Sequence, residues 1–453
     1  MRTFHIGGVH PPENKITASA RIIDVELPRE VTLTYGQHIG APAKCELNKG
    51  DHVDRGDIIA VASGFVSANV HTPISGTVVK IDKIKAPNGM PCDAVTIAAT
   101  DDDHEKDLAA IADRKPLRTE PEIASLDAKK IIEIIDHTGI VGLGGATFPT
   151  KVKLSPPPGM KADIVIINAV ECEPYLTNDH ALMLECPDEI LEGVRLLMRA
   201  AGVDRATIGV EANKKNAIEL LRSRISSLGI EGISVMELEV KYPQGGEKQL
   251  IQALTGKEVP SGALPIATGA IVQNVATAYA VYDAVRFGQP LIDRVVTITG
   301  PSVERPGNYR AAIGISIEKL IEMAGGVPSD TGKIVLGGPM MGKSIVNIDA
   351  PTTKGVSGIL MLPENMSERG KTEPCIRCAK CVSACPMGLE PYLLATLSRL
   401  GEWEEVEKEK VMNCMECGCC SFTCPSSRPI LDFIRLGKQT VGAAIRARQS
   451  QKK

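Results

Sequence analysis

The sequence reads CIRCAKCVSACP from Cys375 to Pro386 and CMECGCCSFTCP from Cys414 to Pro425, and these two runs organise the rest of the chain. Each run has the spacing C-x2-C-x2-C-x3-C-P, which is typical of [4Fe–4S] ligands. Three thiolates on one tight loop can reach three irons of a cubane, while a fourth arrives from elsewhere. A structural zinc site is the alternative, but zinc sites usually pair two short cysteine motifs across a longer gap. The spacing therefore favours two [4Fe–4S] clusters.

Length and composition limit the classes of protein that this chain can be. Its 453 residues exceed one ordinary core and suggest about three domains, and 43% hydrophobic residues can fill them. The net charge of −4 argues against a nucleic-acid-binding protein. The sequence has no apolar run of about 18 residues, which predicts no transmembrane helix, and no signal-peptide pattern at its start. We therefore expect a cytoplasmic location, with the motif cysteines as reduced ligands rather than disulfides.

The N-terminal part of the sequence predicts a β-rich domain. Residues 1–100 contain short apolar stretches separated by turn glycines, and this rhythm resembles the barrel-sandwich hybrid fold of biotinyl and lipoyl domains. The hairpin tip near Ser67, Ala68 and Asn69 lacks the lysine to which those domains attach their group. We therefore expect a structural or docking domain rather than a group carrier. Residues 101–125 are charged and polar, which predicts a linker.

The remaining sequence predicts three further units and a tail. Residues 126–289 alternate apolar strands with amphipathic helices, which predicts an α/β core with a mostly parallel sheet. Residues 290–345 form a smaller strand–helix–strand pattern. Residues 365–428 contain both cysteine runs, joined by two predicted helices, and indicate a largely α-helical domain. The basic tail, 429–453, is typical of a solvated helix.

A second set of candidate residues lies within the α/β core. The segment GIVGLGGATFPTKVKL carries Gly142, Gly144 and Gly145, whose bare backbone N–H groups can approach a ligand as phosphate loops do. Lys153 adds positive charge to the same segment. A tight turn is the commoner explanation of such glycines when they occur alone.

Three further segments strengthen the prediction of a ligand site. NAVECEPYLTND follows an apolar strand, and the carboxyl ends of parallel strands are where α/β sheets bind ligands. YPQGGEKQLI opens a predicted helix, and GAIVQNVATAYAV supplies amides of the kind that hydrogen-bond a planar heterocycle. Together these segments supply the candidate contacts Asn168, Glu171, Glu173, Gly245, Gly246, Glu247, Gln273 and Asn274.

These four segments, in this order, resemble the NADH-binding flavoprotein subunit of respiratory complex I. The resemblance implies FMN held by the glycine loop, a lysine and paired amides, with the nicotinamide of NADH stacked on the flavin. It assigns cofactor binding to Gly142, Gly144, Lys153, Asn168, Gly245 and Asn274, and we add their neighbours Gly145, Gly246, Glu247 and Gln273. It also places the candidate catalytic residues near the nicotinamide: Glu171, Glu173 and, as an aromatic neighbour, Phe148. Residues 290–345 are similar to the β-grasp (SLBB-like) unit of the same family.

Two residues depart from that family, and the C-terminal region differs from it as well. Val170 stands where the family has an acid that touches FMN, and Gly246 replaces the first of two glutamates. The complex I subunit also ends with one cluster, whereas this chain has motifs for two. The opening FHIGGVHPPENK, the barrel-sandwich domain, the flavin-type core and the two ferredoxin-type runs together resemble the RnfC family. The predicted fold class is therefore multidomain α/β, with those parts in that order.

The resemblance implies a peripheral subunit of an ion-translocating ferredoxin:NAD⁺ oxidoreductase complex. It would lie on the cytoplasmic face of the bacterial inner membrane, bound to integral membrane subunits and linked indirectly to ferredoxin. FMN would exchange a hydride with NAD(H) and two [4Fe–4S] clusters would carry single electrons, because nicotinamide moves electrons in pairs. Two alternatives stay open: a soluble corrinoid reductase built from the same parts, and a non-catalytic wiring subunit with an empty flavin pocket.

The ferredoxin-type runs also imply how the ligands are shared. In two-cluster ferredoxins the fourth cysteine of each run binds the other cluster. One centre would then use Cys375, Cys378, Cys381 and Cys424, and the other Cys414, Cys417, Cys420 and Cys385. Among the remaining five cysteines, Cys172 lies inside the candidate flavin site and Cys419 is adjacent to a ligand. The other three are most simply small buried hydrophobic residues: Cys45, Cys92 and Cys186.

Overall fold

The computed structural model describes residues 1–451. Among these residues the strands form one sheet of six, two of four and one of two. They group with the helices into the predicted units: a β-rich N-terminal unit, a parallel α/β core, a β-grasp unit and a helical cysteine domain. The architecture therefore agrees with the predicted fold class.

The prediction places residues 1–100 in the N-terminal β-rich unit, and the first of these residues also contact other units. Arg2 and Val9 form isolated bridges to Leu238 and Tyr242 in the α/β core. The first strand, β1 (Ile22–Asp24), runs parallel to a strand of the β-grasp sheet. The N-terminal segment therefore connects units that are far apart in sequence.

The two sheets of the β-rich unit are formed by strands that follow β1. One antiparallel sheet has the order β2–β7–β6–β3 and a second pairs β4 with β5; the bounds are β2 (Glu30–Thr34), β3 (His52–Val53), β4 (Ile58–Ala60), β5 (Val70–His71), β6 (Gly76–Lys85) and β7 (Pro91–Ala98). Val31 and Leu33 alternate along β2 and are buried, as a half-buried strand requires. Gly40 has φ +106° and passes so close to Val66 that a Cβ would lie 2.0 Å from its carbonyl oxygen.

The segment predicted to be a linker, 101–125, contains two helices, α1 (Asp101–Ala112) and α2 (Glu120–Ser125). Each begins with a capping box, in which Thr100 pairs with Asp103 and Thr119 pairs with Glu122. The carboxylate of Asp107 in α1 is buried and accepts hydrogen bonds from the Ser75 backbone (2.6 Å) and hydroxyl (2.7 Å). Helix α1 is thus fastened to the β-rich unit, and the charged composition reflects its exposed side.

The α/β core has four parallel strands in the order β10–β9–β8–β11. Val165 and Ile167 of the central strand face one buried cluster and Ile166 faces another, so helices cover both faces of the sheet. The elements in chain order are α3 (Ala128–His137), α4 (Thr150–Lys153), β8 (Ile164–Asn168), α5 (Asn178–Glu185), α6 (Pro187–Ala201), β9 (Ala206–Glu211), α7 (Lys215–Ser227), β10 (Ile233–Leu238), α8 (Glu247–Thr255), β11 (Ala270–Asn274) and α9 (Val275–Phe287).

The sheet of the β-grasp unit includes strands that lie outside the predicted range 290–345. Its six-stranded sheet has the order β1–β13–β12–β16–β14–β15, so it recruits the N-terminal strand and a strand beyond residue 345. The bounds are β12 (Asp293–Thr299), β13 (Gly307–Ala312), α10 (Ile317–Met323), β14 (Thr331–Leu336), β15 (Lys343–Ser344) and β16 (Gly358–Pro363), followed by α11 (Glu364–Ser367).

The cysteine domain is helical, as predicted, and two helices join the cysteine runs. Its elements are α12 (Lys380–Ser383), α13 (Pro391–Leu400), α14 (Trp403–Lys408), α15 (Cys419–Phe422) and α16 (Ile430–Ser450). Helix α16 buries Ile434 and Val441 in the core of this domain, so the basic tail is not wholly solvated as the sequence suggested. In the part of the chain that is described, no helix is both long and apolar enough to cross a membrane.

Candidate functional site

The glycine loop is an exposed loop closed at its base. Val141 bridges Pro149, and the Gly142 N–H donates to the Phe148 carbonyl oxygen at 2.8 Å. Gly144 is exposed, and a Cβ placed on it would lie 3.5 Å from the Asn274 side chain. Gly145 has φ +105°, a conformation that side chains rarely adopt. The loop therefore presents bare backbone directly above the end of β11, as a ligand-binding loop requires.

The lysine and the Gly-Gly-Glu segment meet beside this loop. The Lys153 ammonium donates to the Glu247 carboxylate at 2.6 Å and to the Val272 carbonyl oxygen at 3.0 Å. The Asn168 amide donates to the Gly245 carbonyl oxygen at 2.8 Å. The fold therefore brings the four sequence segments together at the carboxyl edge of the parallel sheet.

A side chain at Gly246, where the related family carries a glutamate, would displace the flexible ends of two neighbouring side chains. A Cβ placed there would lie 2.5 Å from the Gln249 side-chain oxygen and 2.8 Å from the Met415 methyl group. The departure noted in the sequence therefore matches close packing of the second cysteine run on the α/β core.

The two predicted amides are not equivalent. Gln273 is 2% exposed, and neither polar atom of its side chain has a hydrogen-bond partner among the described residues. The Asn274 side-chain oxygen instead accepts the Ala276 N–H at 2.9 Å and caps α9, while its nitrogen donates to the Asp179 carboxylate at 2.7 Å. Buried unpartnered amides are costly, so Gln273 suits a polar ligand, whereas the Asn274 side chain is already bonded to protein.

The two candidate catalytic glutamates also differ. One Glu171 oxygen accepts the Asp179 N–H at 2.7 Å, and the other is buried without a partner. Both Glu173 oxygens accept backbone N–H groups, from Met340 at 3.1 Å and Met341 at 2.7 Å. Burial raises the pKa of each carboxyl to about 7. Glu171 can therefore hold or release a proton near neutral pH, whereas Glu173 fastens the loop between β14 and β15.

Several charged residues of this site were missed in the sequence because their partners are distant in the chain. The Lys15 ammonium donates to carbonyl oxygens of Glu171 and Glu173, at 2.8 and 2.9 Å. The buried Arg294 of the β-grasp unit donates to the Leu143 carbonyl oxygen of the glycine loop at 3.1 Å. Lys15 is the last residue of the opening motif quoted above, but nothing local indicated which turn it would reach.

Four of the motif cysteines share one apolar cavity. The lining includes the thiols that the crossed assignment gives to a single centre: Cys385, Cys414, Cys417 and Cys420. The Leu389 N–H donates to the Cys385 sulfur and the Glu416 N–H donates to the Cys414 sulfur, each at 3.4 Å. Backbone N–H groups directed at sulfur suit thiolate ligands, so this arrangement fits an iron–sulfur cluster.

The first run is arranged more openly. Cys375 and Cys378 are exposed and Cys381 is half-buried. Burial raises the pKa of Cys381, and Cys424 lies close enough to raise it further, which places the last cysteine of the second run near the first. Within residues 1–451 no three His, Cys, Asp or Glu side chains converge as a single metal ion requires. A cubane spreads its thiolates more widely, because each of them binds a different iron.

The second run packs directly against the candidate flavin site. The Tyr242 hydroxyl donates to the Cys417 carbonyl oxygen at 2.8 Å. Tyr242, Cys417 and Cys419 belong to one buried cluster, with Cys172 of the glutamate segment packed against it. The cavity that holds four motif cysteines is therefore separated from the glutamate segment by a few side chains.

Comparison with known proteins identifies the units. Residues 3–103 match the RnfC barrel sandwich hybrid domain, residues 135–283 the Nuo51 FMN-binding domain, and residues 295–344 the SLBB domain. These matches agree with the resemblances drawn from the sequence motifs.

Three relatives align over most of the chain, and each is the C subunit of a multi-subunit complex. That of the proton-translocating ferredoxin:NAD(+) oxidoreductase complex of Clostridium ljungdahlii is 41% identical, over 98% of this chain and 95% of its own. That of the Na(+)-translocating complex of Acetobacterium woodii is 40% identical, over 96% of each chain. That of the ion-translocating oxidoreductase complex of Rhodobacter capsulatus is 38% identical, over 91% of this chain and 78% of its own. On this similarity, the chain belongs to the RnfC family of ion-translocating ferredoxin:NAD(+) oxidoreductase complexes.

Proposed function

We propose that the protein carries electrons between NAD(H) and the membrane partners of an ion-translocating ferredoxin:NAD⁺ oxidoreductase complex, through FMN and two [4Fe–4S] clusters. The observation that carries this proposal is the contact between the candidate flavin site and the second cysteine run, where Tyr242 bonds Cys417. Bound FMN would supply the exchange between the two-electron chemistry of nicotinamide and the one-electron chemistry of the clusters.

The residues of the glycine-loop site fit FMN. Gln273 offers a buried amide without a protein partner, and Gly144 and Gly145 leave backbone accessible. Lys153 supplies positive charge at the same edge of the sheet and, with FMN bound, would share its contacts between Glu247 and the ligand. These features hold and orient an anionic ligand with polar ring atoms.

Glu171 is the residue best suited to proton chemistry near the nicotinamide. Its second oxygen is buried without a partner, and its pKa of about 7 keeps both protonation states populated at neutral pH. The Asp179 N–H orients the carboxyl from the start of α5. Glu173 instead contributes by holding the Met340–Met341 backbone next to the second cysteine run.

The two clusters would take successive places in the electron route. The centre of Cys414, Cys417, Cys420 and Cys385 would be proximal to the flavin, because only a few side chains separate its cavity from the glutamate segment. The centre of the first run would be distal, since Cys375 and Cys378 are exposed and available to a partner.

Membrane attachment would be through other subunits on the cytoplasmic face of the inner membrane. Relatives that are 41% and 40% identical are named for different ions, protons and Na(+), so similarity to them does not indicate which ion is moved. The names of these relatives support the translocating complex over a soluble corrinoid reductase. Attachment is tested by washing membranes with chaotrope or at high pH, which should release the protein; retention through both washes would contradict attachment by protein partners alone.

The central test combines composition with reduction by NADH. Anaerobically purified protein should contain about eight irons and eight acid-labile sulfides, as two cubanes require, and should bind one FMN. NADH should bleach the flavin absorbance of the parent protein. Gly144→Val places a branched side chain against Asn274, so it should exclude FMN while the iron content stays unchanged. A parent that binds FMN but is not bleached by NADH would identify a wiring subunit instead.

A further inference from the structure

The opening residues 4–15, FHIGGVHPPENK, form a segment that we name the N-terminal strap. They precede the strands of the barrel-sandwich sheets, the first of which begins at Glu30. The strap instead crosses from the cysteine domain over the α/β core to the turn that carries Glu171 and Glu173. It makes three attachments on the way.

The first attachment is to the residues around Cys385. The Gly8 N–H donates to the Ala384 carbonyl oxygen at 3.0 Å. Gly7 has φ +68°, and a Cβ placed on it would lie 2.5 Å from the Cys385 carbonyl carbon and oxygen. The strap backbone therefore lies directly on the backbone of a cysteine that lines the second-run cavity.

The second attachment is to Tyr242. The Val9 N–H donates to the Tyr242 carbonyl oxygen at 2.8 Å, and the Tyr242 N–H donates back to Val9 at 2.9 Å. Tyr242 is 2% exposed and its hydroxyl donates to Cys417. One residue is thus held by the strap at its backbone and touches the second cysteine run with its side chain.

The third attachment is made by Lys15. Its ammonium donates to the carbonyl oxygens of Glu171 at 2.8 Å, Glu173 at 2.9 Å and Leu176 at 2.6 Å. An ammonium has three N–H donors, so all of them go to this one turn. Within it Glu171 and Tyr175 adopt φ +52° and +69°, which non-glycine residues rarely do. The lysine therefore holds a strained turn whose carbonyl groups converge on it.

We propose that the N-terminal strap positions the nicotinamide-side carboxylates and the proximal cluster relative to one another, with Lys15 as the positioning residue for Glu171. This inference rests on the proposed function, because it assumes that FMN and the proximal cluster are bound. It goes further by giving the two ends of the strap separate effects. Lys15 acts on the exchange with nicotinamide, and Gly7 acts on transfer to the cluster.

The charge of Lys15 gives its end of the strap a specific signature. Burial raises the pKa of Glu171, and the nearby Lys15 charge opposes that rise. Removing the charge should therefore raise the pKa further and keep Glu171 protonated to a higher pH. The other charged or titratable groups that influence Glu171 and Lys15 stay in place in such a variant: Lys214, Asp179, Glu211 and Cys172.

The test uses the full chain, loaded anaerobically with FMN and clusters, and compares Lys15→Met, Lys15→Arg, Gly7→Ala and Gly229→Ala. Gly229 is exposed, has φ +61° and would place its Cβ in open space, so Gly229→Ala is the control matched to the backbone conformation of Gly7. Stopped-flow absorbance follows flavin bleaching by NADH, and freeze-quench EPR follows cluster reduction. Iron and flavin contents report whether each variant is assembled.

Lys15→Met should slow flavin bleaching about tenfold or more, because small displacements of reacting groups cost that much. The bleaching rate of Lys15→Met should depend on pH with an apparent pKa near neutrality that is about one unit higher than in the parent, as expected for loss of a close opposite charge. Lys15→Arg keeps the charge and should return this apparent pKa toward the parent value. Gly7→Ala should leave bleaching unchanged and slow transfer to the second-run cluster about tenfold.

Three results would overturn the inference: parent-like bleaching and pH profile in Lys15→Met, equal slowing of both steps in Gly7→Ala, or unchanged transfer in Gly7→Ala. If Gly7→Ala loses iron, the midpoint potential of the second-run cluster is measured in the molecules that still hold it, in place of the transfer rate. A potential equal to that of the parent then overturns the inference. A parent protein that NADH does not bleach contradicts the proposed function instead, and the strap is then judged by that potential alone.

Discussion

The two cysteine runs have the same spacing but lie in opposite surroundings. Cys375 and Cys378 of the first run are exposed, whereas Cys417 and Cys420 of the second are buried. The difference arises from what packs on each run: the second meets Tyr242 of the α/β core, whereas the first is covered at its end, around Ala384 and Cys385, and exposed at its start. Spacing thus indicates which kind of metal centre can form, while residues far away in sequence determine which run lies beside the candidate flavin site.

The largest effect should come from removing one ligand of each run. Cys417→Ser should lower the iron content by about half, as loss of one of two cubanes requires, and stop reduction of the distal centre by NADH. Cys378→Ser should lose a similar amount of iron yet leave NADH-driven reduction of the remaining centre intact. Iron analysis and EPR after NADH addition measure both. Equal loss of reduction in the two variants would contradict the proximal and distal order.

The ligand crossing between the runs predicts the next largest effect. Cys385 lies in the first run, yet it lines the cavity of the second. Cys385→Ser should therefore alter the EPR signal of the second-run centre, and Cys424→Ser that of the first-run centre. Should Cys385→Ser change only the signal of its own run, the crossed assignment is wrong.

A smaller change is expected at the contact between the core and the second run. Tyr242→Phe removes the hydroxyl that donates to the Cys417 carbonyl oxygen. The free energy of unfolding should fall by about 1 kcal/mol, typical of a lost hydrogen bond. The midpoint potential of the second-run centre should shift while that of the first-run centre does not, because hydrogen bonding and solvent access tune such potentials. Denaturant titration measures the first effect and an EPR redox titration the second. A shift in the midpoint potential of the first-run centre would contradict the contrast drawn between the two runs.

The smallest effect is expected among the exposed residues near the first cysteine run. Arg369 pairs with Asp432 near the first run, and both side chains are largely exposed. Arg369→Ala should change the free energy of unfolding by less than about 1 kcal/mol, because solvent and salt screen exposed ion pairs. Denaturant titration at low and high salt should show that the difference in the free energy of unfolding between the parent and Arg369→Ala decreases as salt is added. If Arg369→Ala at high salt lowers the free energy of unfolding as much as Tyr242→Phe does, the surroundings of the first run are less exposed to solvent than described above.

Features set by neighbouring residues were predictable from the sequence. The cysteine spacing, the alternation of strands and helices, and the glycine loop each depend on a few consecutive residues. The helices of 101–125 were missed although their capping boxes, Thr100 with Asp103 and Thr119 with Glu122, are written in the sequence, because the charged composition outweighed them.

Features set by distant partners could not be predicted. Strand β1 pairs with β13, which lies almost three hundred residues later in the chain, and no local pattern indicates a parallel partner. Gln273 and Asn274 are equivalent in the sequence, but in the structure the Asn274 side chain is hydrogen-bonded to Asp179 and to the first turn of α9. Lys15 likewise became part of the site only through the carbonyl groups that surround it.

The course of the N-terminal strap has a consequence for biosynthesis. Its first attachment is to Ala384 and Cys385, which leave the ribosome long after residues 4–15. During translation the strap can dock on Tyr242 and on the turn around Glu171, but this first attachment must wait until the cysteine domain has been synthesised and folded. Gly7 and Gly8 therefore meet Cys385 and Ala384 only at that last stage. One end of the first segment to be synthesised is thus among the last parts of the chain to be fixed.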